Sequence, residues 1–223
     1  MKDERTITPV EAERFYDRMG RGLDRFGAFE DRARLEVAEQ GRFGQGRAVV
    51  EFGCGTGSLA ERLLERHLPP DGRYLGLDVS ARMVESTAER LARFGDRAVV
   101  RKSDGAMVVD APDASCDRFV STFVVDLLSR GDAHRLLAEA HRLLAPEGLL
   151  CLASLSRGET LVSSTISSLW AGIQRLAPAR VGGCRPVVLT SFLPPDLWRI
   201  VYRRVLTMFG VPAEVLIASR ATS

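Results

Sequence analysis

Seven residues, Glu51-Phe52-Gly53-Cys54-Gly55-Thr56-Gly57, carry the densest chemical signal in the sequence. Glycines at alternate positions let a main chain pass close to a ligand, because no Cβ intervenes. A helix opening at such a loop adds N–H groups that have no intrahelical partner. The dinucleotide-binding fingerprint spaces its glycines as GxGxxG. Here the third glycine comes one position early, and Ser58 stands where that fingerprint expects glycine. Glu51 lies on the apolar run just before the loop. A carboxylate there is a poor neighbour for pyrophosphate and a good one for a cation. Cys54, Cys116, Cys151 and Cys184 form no CxxC pair, so no metal site is expected and all four read as free thiols in a reducing compartment.

The elements that must hold this loop follow from periodicity. Ala48 to Phe52 is a short apolar run suited to a parallel strand buried on both faces. Ser58 to His67 reads as a helix, closed by the turn Pro69-Pro70-Asp71-Gly72. Arg73–Asp78 is a second strand, Ser80 caps a helix to about Phe94, and Ala98–Lys102 is a third strand. A fourth strand spans Phe119–Val125, a helix Asp132–Leu144, and a fifth strand Leu149–Leu155 after Pro146-Glu147-Gly148. Such alternation predicts a parallel sheet covered on both faces. Before it, Val10 to Glu39 reads as helical with a break near Gly20–Gly27; its apolar residues are sparse, so it is expected on a surface. After Ser156 the regularity fails. Leu161–Leu176 reads as a serine-rich amphipathic helix, Pro178 to Pro186 as a loop, and Trp198–Leu206 with Val211–Ala218 as an antiparallel hairpin turning at Phe209-Gly210.

At this point the chain resembles the class I S-adenosylmethionine-dependent methyltransferases. Glu51 to Gly57 resembles their first motif, E/D-x-G-x-G-x-G. Tyr74-Leu75-Gly76-Leu77-Asp78-Val79-Ser80 resembles their second strand, whose acidic end grips the cofactor ribose. Arg101-Lys102-Ser103-Asp104-Gly105-Ala106 resembles the loop that meets adenine, and Val120-Ser121-Thr122-Phe123 the fourth strand beside the methionine moiety. Arg142-Leu143-Leu144-Ala145-Pro146-Glu147-Gly148 resembles the R-x-L-K-P-G-G turn, with Ala145 replacing lysine and Glu147 the first of the two glycines. The register runs from about residue 46 to 155. The resemblance implies a seven-stranded, mostly parallel α/β sheet of order 3-2-1-4-5-7-6, Rossmann-like, with helices on both faces and a small helical cap. Within one domain, residues 1–45 would form the cap, 46–155 the cofactor core, 156–190 an acceptor region and 191–223 the closing hairpin.

The implied cofactor is S-adenosyl-L-methionine, released as S-adenosyl-L-homocysteine. Its expected neighbours are Tyr16, Glu51, Phe52, Gly53, Cys54, Gly55, Gly57, Asp78, Val79, Met83, Asp104, Gly105, Ala106, Thr122 and Phe123. Asp78 can accept both ribose hydroxyls in a charge-assisted pair. Val79 and Met83 could pack on the adenine face. As a strand-end carboxylate facing a cleft, Asp78 is expected to contribute little to packing. Tyr16 lies in Phe15-Tyr16-Asp17, which resembles the leading helix that folds over the cofactor, though a packing aromatic fits as well.

The acceptor side is less legible. Methyl transfer is an in-line displacement to which proximity and orientation contribute much, without a dedicated residue. Asp126, expected at the pocket mouth after the fourth strand, is the candidate base or substrate contact, against a helix-start or surface residue. Trp170, Cys184 and Arg185 are candidate substrate contacts; the serine-rich helix could line the pocket, cover it or rest on a membrane surface, and it reads equally as lid or as core-facing helix.

Composition narrows the partners. With 45% hydrophobic residues the chain is no disordered segment, and no apolar run approaches the ~20 residues of a membrane span. The opening MKDERTITPVEAERF has no apolar region of the secretory kind, so a cytoplasmic location is expected. A net charge of +2 argues against a dedicated nucleic-acid binder. The expected activity is methyl transfer to a small-molecule acceptor, a phenol, quinol or other lipophilic metabolite, by a monomer or homodimer. A nucleic-acid methyltransferase and a non-catalytic S-adenosylmethionine binder are the alternatives.

Overall fold

Seven strands build one sheet: β1 (Ala48–Phe52), β2 (Arg73–Asp78), β3 (Ala98–Lys102), β4 (Cys116–Thr122), β5 (Leu144–Leu155), β6 (Trp198–Met208) and β7 (Val211–Arg220). They pair in the order β3-β2-β1-β4-β5-β7-β6. The first five are parallel, and β7 runs antiparallel to both β5 and β6. This is the expected α/β topology. The computed structural model describes residues 6–19, 28–158, 183–208 and 210–221. Trp170 and the helix expected over 161–176 lie outside the described residues.

Alternation along the strands separates two apolar layers. Val50, Leu150, Leu152 and Leu216 face one layer with α5 (Arg130–Leu143), through Ala133, Leu136 and Ala140. Val49, Cys151, Ala153 and Ile217 face the other layer. There they meet Leu59 of α3 (Ser58–Arg62), Leu63 just beyond it, and Ala33 and Val37 of α2 (Ala28–Gln40). With both faces covered, β1 is buried at four of its five positions, as a central parallel strand requires.

Several boundaries differ from the sequence reading, each with a local cause. β4 begins at Cys116 and stops at Thr122, because Phe123 takes a left-handed φ of 57° and turns the chain out of the sheet. β5 begins at Leu144, opposite Cys116, and bulges over Ala145–Gly148 before pairing resumes at Leu149. The helix after β2, α4 (Ala81–Leu91), tightens into a 3-10 segment over Ala92–Arg97. Ser80 and Ser129 cap α4 and α5 by accepting from the N–H groups of Met83 and Asp132.

The leading segment corrects the surface expectation. It holds α1 (Pro9–Met19) and α2, and α2 is a core-covering helix whose Ala33 and Val37 are fully buried. Small side chains bring α2 close to β5, β6 and β7, so a stripe of alanine and valine suffices where leucines would not fit. Its buried Glu36 accepts from the Tyr202 hydroxyl and lies 3.3 Å from Arg204 on β6. A partnered glutamate on the inner face blurs the amphipathic pattern. Among the described residues no helix is long and apolar enough to cross a membrane.

Candidate functional site

The glycine loop joins β1 to α3 at the C-terminal edge of the sheet, where open parallel sheets bind ligands. Its amides are largely committed. Gly53 and Cys54 donate to Leu77 O at 2.8 and 3.0 Å, and Gly57 donates to Cys54 O at 3.0 Å. The Gly55 N–H donates to Asp78 Oδ2 at 2.9 Å, and the Thr87 hydroxyl donates to Gly55 O at 2.7 Å. Four N–H groups of the loop are thus held by the protein itself, leaving the N–H groups of the helix start as the donors that the sequence reading expects.

Gly55 and Gly57 have different reasons to be glycine. A Cβ at Gly57 (φ 77°) would lie 2.7 Å from Thr87 Cγ2, whereas one at Gly55 (φ 55°) would meet nothing within 4 Å. Gly55 therefore borders open space. Gly55→Ala should melt within a few degrees of the parent yet lose at least tenfold in ligand affinity, because a left-handed L-residue costs only about 1–2 kcal/mol. Gly57→Ala should lower the melting temperature more. Thermal melting and titration calorimetry on both variants check this; a Gly55→Ala protein with parental affinity would refute the assignment.

Asp78 ends β2 beside this loop. Its Oδ1 accepts the Ser80 N–H at 2.9 Å, and only 8% of the residue is exposed. Burial raises its pKa, opposed by the N–H groups of Ser80, Gly55 and Val79. Contrary to the expectation of little packing, Asp78 braces the loop. Glu51 is 1% exposed and accepts the Tyr74 hydroxyl at 2.6 Å. A Cβ at Gly76 would lie 2.8 Å from the Tyr74 oxygen, so the missing side chain lets Tyr74 reach across from β2. Burial pushes the Glu51 carboxyl up to about 7, against the pull of Tyr74 and Arg34.

The remaining expected cofactor neighbours gather at the same edge. Asp104 is exposed and its Oδ1 accepts the Ala106 N–H at 2.8 Å, which shapes the loop containing Gly105. Val79 is half-buried, while Met83 is buried at 1% exposure behind it. Phe52, Cys54, Thr122 and Phe123 are buried along the strand ends. Asp17 of α1 accepts the Ser80 hydroxyl at 2.5 Å and the Arg82 N–H at 3.3 Å, and Lys102 lies 2.6 Å from Glu13. The Pro9 Cβ lies 2.5 Å from where a Gly105 Cβ would be. These contacts moor α1, which carries Tyr16, across the ends of β2 and β3. Asp17, Tyr74 and Thr87 were missed in the sequence because each acts through a contact distant along the chain.

Asp126 is neither a surface residue nor a helix start. It is wholly buried, and its Oδ2 accepts the Leu155 N–H at 3.1 Å. Its own carbonyl accepts the Arg185 N–H at 3.1 Å, and Arg185 Nη2 donates to Leu128 O at 2.7 Å. Tyr16 and half-buried Cys184 both interact electrostatically with Asp126. His134 and His141 lie away from this edge, packed on Phe192 and Trp198 with ring centroids at 5.6 and 5.2 Å.

Residues 49–148 match the family model described as a methyltransferase domain. An uncharacterized methyltransferase of Geobacillus kaustophilus is 32% identical over 143 residues, 62% of this chain and 60% of that protein. The demethylmenaquinone methyltransferase of Symbiobacterium thermophilum is 30% identical over 120 residues, 52% of this chain and 46% of that protein. The chain thus spans less than two thirds of either relative. In fold, it is similar to the N-methyltransferase NodS of Bradyrhizobium japonicum in complex with S-adenosyl-L-homocysteine. That likeness has a TM-score of 0.66 and 16% identity, and covers 87% of this chain and 89% of NodS.

Proposed function

We propose that this chain, a class I S-adenosylmethionine-dependent methyltransferase by its fold and its match over residues 49–148, transfers a methyl group to a small-molecule acceptor. The cofactor would supply an electrophilic methyl group on a sulfonium. The observation that carries the reading is the pairing of Asp78 with Gly55 at the open side of the loop. A carboxylate able to accept ribose hydroxyls stands next to a backbone position with free space in front of it. Asp78 would hold the ribose, the loop from Gly53 to Gly57 would lie along the methionine tail, and Val79 with the Asp104–Ala106 loop would take the adenine. Tyr16 would close over the cofactor from α1.

The small-molecule acceptor is supported by the enclosure of the site. Elements from before β1 and after β5 converge on it: Ile7 contacts the position a Gly183 Cβ would take, at 2.6 Å, and Tyr16 lies near Cys184. Such a roof admits a compact acceptor more readily than a nucleic-acid strand. The demethylmenaquinone methyltransferase among the relatives is consistent with a quinol-like acceptor. Incubation with methyl-labelled S-adenosylmethionine and a panel of phenols, quinols and lipid extracts should label a small molecule identifiable by mass. Calorimetry should show S-adenosylhomocysteine binding and NADH not binding. Preference for NADH, or label entering RNA alone, would overturn the reading.

A further inference from the structure

Asp78 and Asp126 flank the glycine loop, since β2 and β4 are the two neighbours of β1. The Asp78 carboxylate has both oxygens engaged by backbone N–H groups. Asp126 does not. Its Oδ2 is held by Leu155 at the end of β5, and its Oδ1 is buried with no hydrogen-bond partner among the described residues. A buried carboxylate oxygen without a donor costs free energy unless a ligand supplies one.

Among the described residues, the groups facing Asp126 come from three segments of the chain. Tyr16 of α1, Glu30 of α2, and Cys184 and Arg185 from the chain leading to β6 all act on it or on its immediate neighbours. Glu30 is paired with Arg34 at 2.5 Å. Arg185 supplies opposing charge, with its Nη2 turned to Leu128. Among the described residues the surroundings therefore hold a phenol, a thiol and a second carboxylate, with Arg34 engaged by Glu30 and Arg185 Nη2 by Leu128 O. A ligand bringing another anion has no proton to give Oδ1 and would sit against the Asp126 carboxylate, whereas a ligand bringing an O–H would satisfy that oxygen.

We propose that Asp126 is the acceptor-side base, and that the acceptor it receives is a neutral phenol or quinol presenting its hydroxyl to Oδ1. This rests on the methyltransferase reading. The hydroxyl proton passes to Asp126 as the oxygen lone pair bonds to the methyl carbon, and the carbon–sulfur electron pair stays on sulfur. A carboxylic acid acceptor, ionised at neutral pH, is disfavoured. Burial, opposed by the N–H groups of Leu155 and of Asp126 itself and then by Arg185, pushes the Asp126 carboxyl up to about 7, where a general base is matched to its working pH. Only the ionised form accepts a proton, so transfer should rise with pH through about 7.

The test uses the full chain loaded with S-adenosylhomocysteine, as wild type and Asp126→Asn. With 13C-labelled aspartate, the wild type should show a carboxyl signal that titrates near 7 and is missing from the variant. Asp126→Asn should keep its affinity for S-adenosylhomocysteine within about threefold. It should lose at least about a hundredfold in turnover of hydroquinone or catechol, together with the pH limb near 7. Benzoate should be a far poorer acceptor than either. An Asp126 signal titrating below about pH 5, a variant with parental turnover and pH profile, loss of cofactor affinity in a folded variant, or preferred turnover of benzoate would each overturn the proposal. A wild type that binds the cofactor product but turns over no phenol or quinol would overturn the acceptor assignment, whatever the carboxyl titration shows. Failure of the wild type to bind S-adenosylhomocysteine would sink the methyltransferase reading first, and this proposal with it.

Discussion

Replacing Asp78 by alanine should weaken S-adenosylhomocysteine binding by one to two orders of magnitude and also lower the melting temperature. Two losses combine. The ribose hydroxyls lose a charged acceptor worth about 1.5–3 kcal/mol, or roughly ten- to hundredfold in affinity. In addition, the N–H groups of Gly55 and Ser80, which donate to Asp78 at 2.9 Å each, lose their partner in a buried setting. The loop would relax and Ser80 would be less well placed to cap α4. Asp78→Asn keeps the shape and one carbonyl acceptor, so it should fall between wild type and alanine in both measurements. Calorimetry and thermal melting on the three proteins check this. Unchanged affinity in a folded Asp78→Ala protein would mean that the ribose is held elsewhere.

The second large effect is on stability as a function of pH. Glu51 and Asp126 are each pushed up to about 7, chiefly by burial. In the unfolded chain they titrate near their ordinary values of about 4. Between about pH 4 and 7 the folded protein therefore binds more protons than the unfolded one, and stability must fall as pH rises through that window. Each group contributes on the order of 3–4 kcal/mol across it. His67 and His141, whose pKa values burial lowers, act in the opposite sense. Both histidines are only partly buried, so the carboxylates should dominate. The ligand-free protein should melt several degrees higher near about pH 5.5 than near about pH 8. Glu51→Gln keeps an acceptor for Tyr74 and removes one titration, so its melting temperature should vary less over the same range. An equal slope in the variant would remove Glu51 as a source of the effect.

How legible all this was in the sequence depends on how local each cause is. The loop from Glu51 to Gly57, the five parallel strands, the closing hairpin and the helix cap at Ser80 follow from spacing, alternation and turn chemistry within a few residues. Helix α2 was misjudged as a surface element because its contacts run to β5, β6 and β7, more than a hundred residues away, and because Glu36 breaks the amphipathic stripe while being paired. Asp126 was found by its place after the fourth strand, but its burial was not. Nothing near it in sequence shows that Leu155 N–H and Arg185 will enclose it.

The sequence by itself determined the order of elements and the chemistry of the cofactor edge, because those depend on residue types at fixed short spacings along the chain. Only the tertiary structure decided what that chemistry is worth. It spent the loop amides on Leu77 and Asp78, joined Glu51 to Tyr74 across the gap at Gly76, and turned Asp126 from an edge residue into a buried carboxylate. Desolvation and hydrogen-bond satisfaction are properties of the space around a group. They arise only when segments far apart in the chain pack against one another.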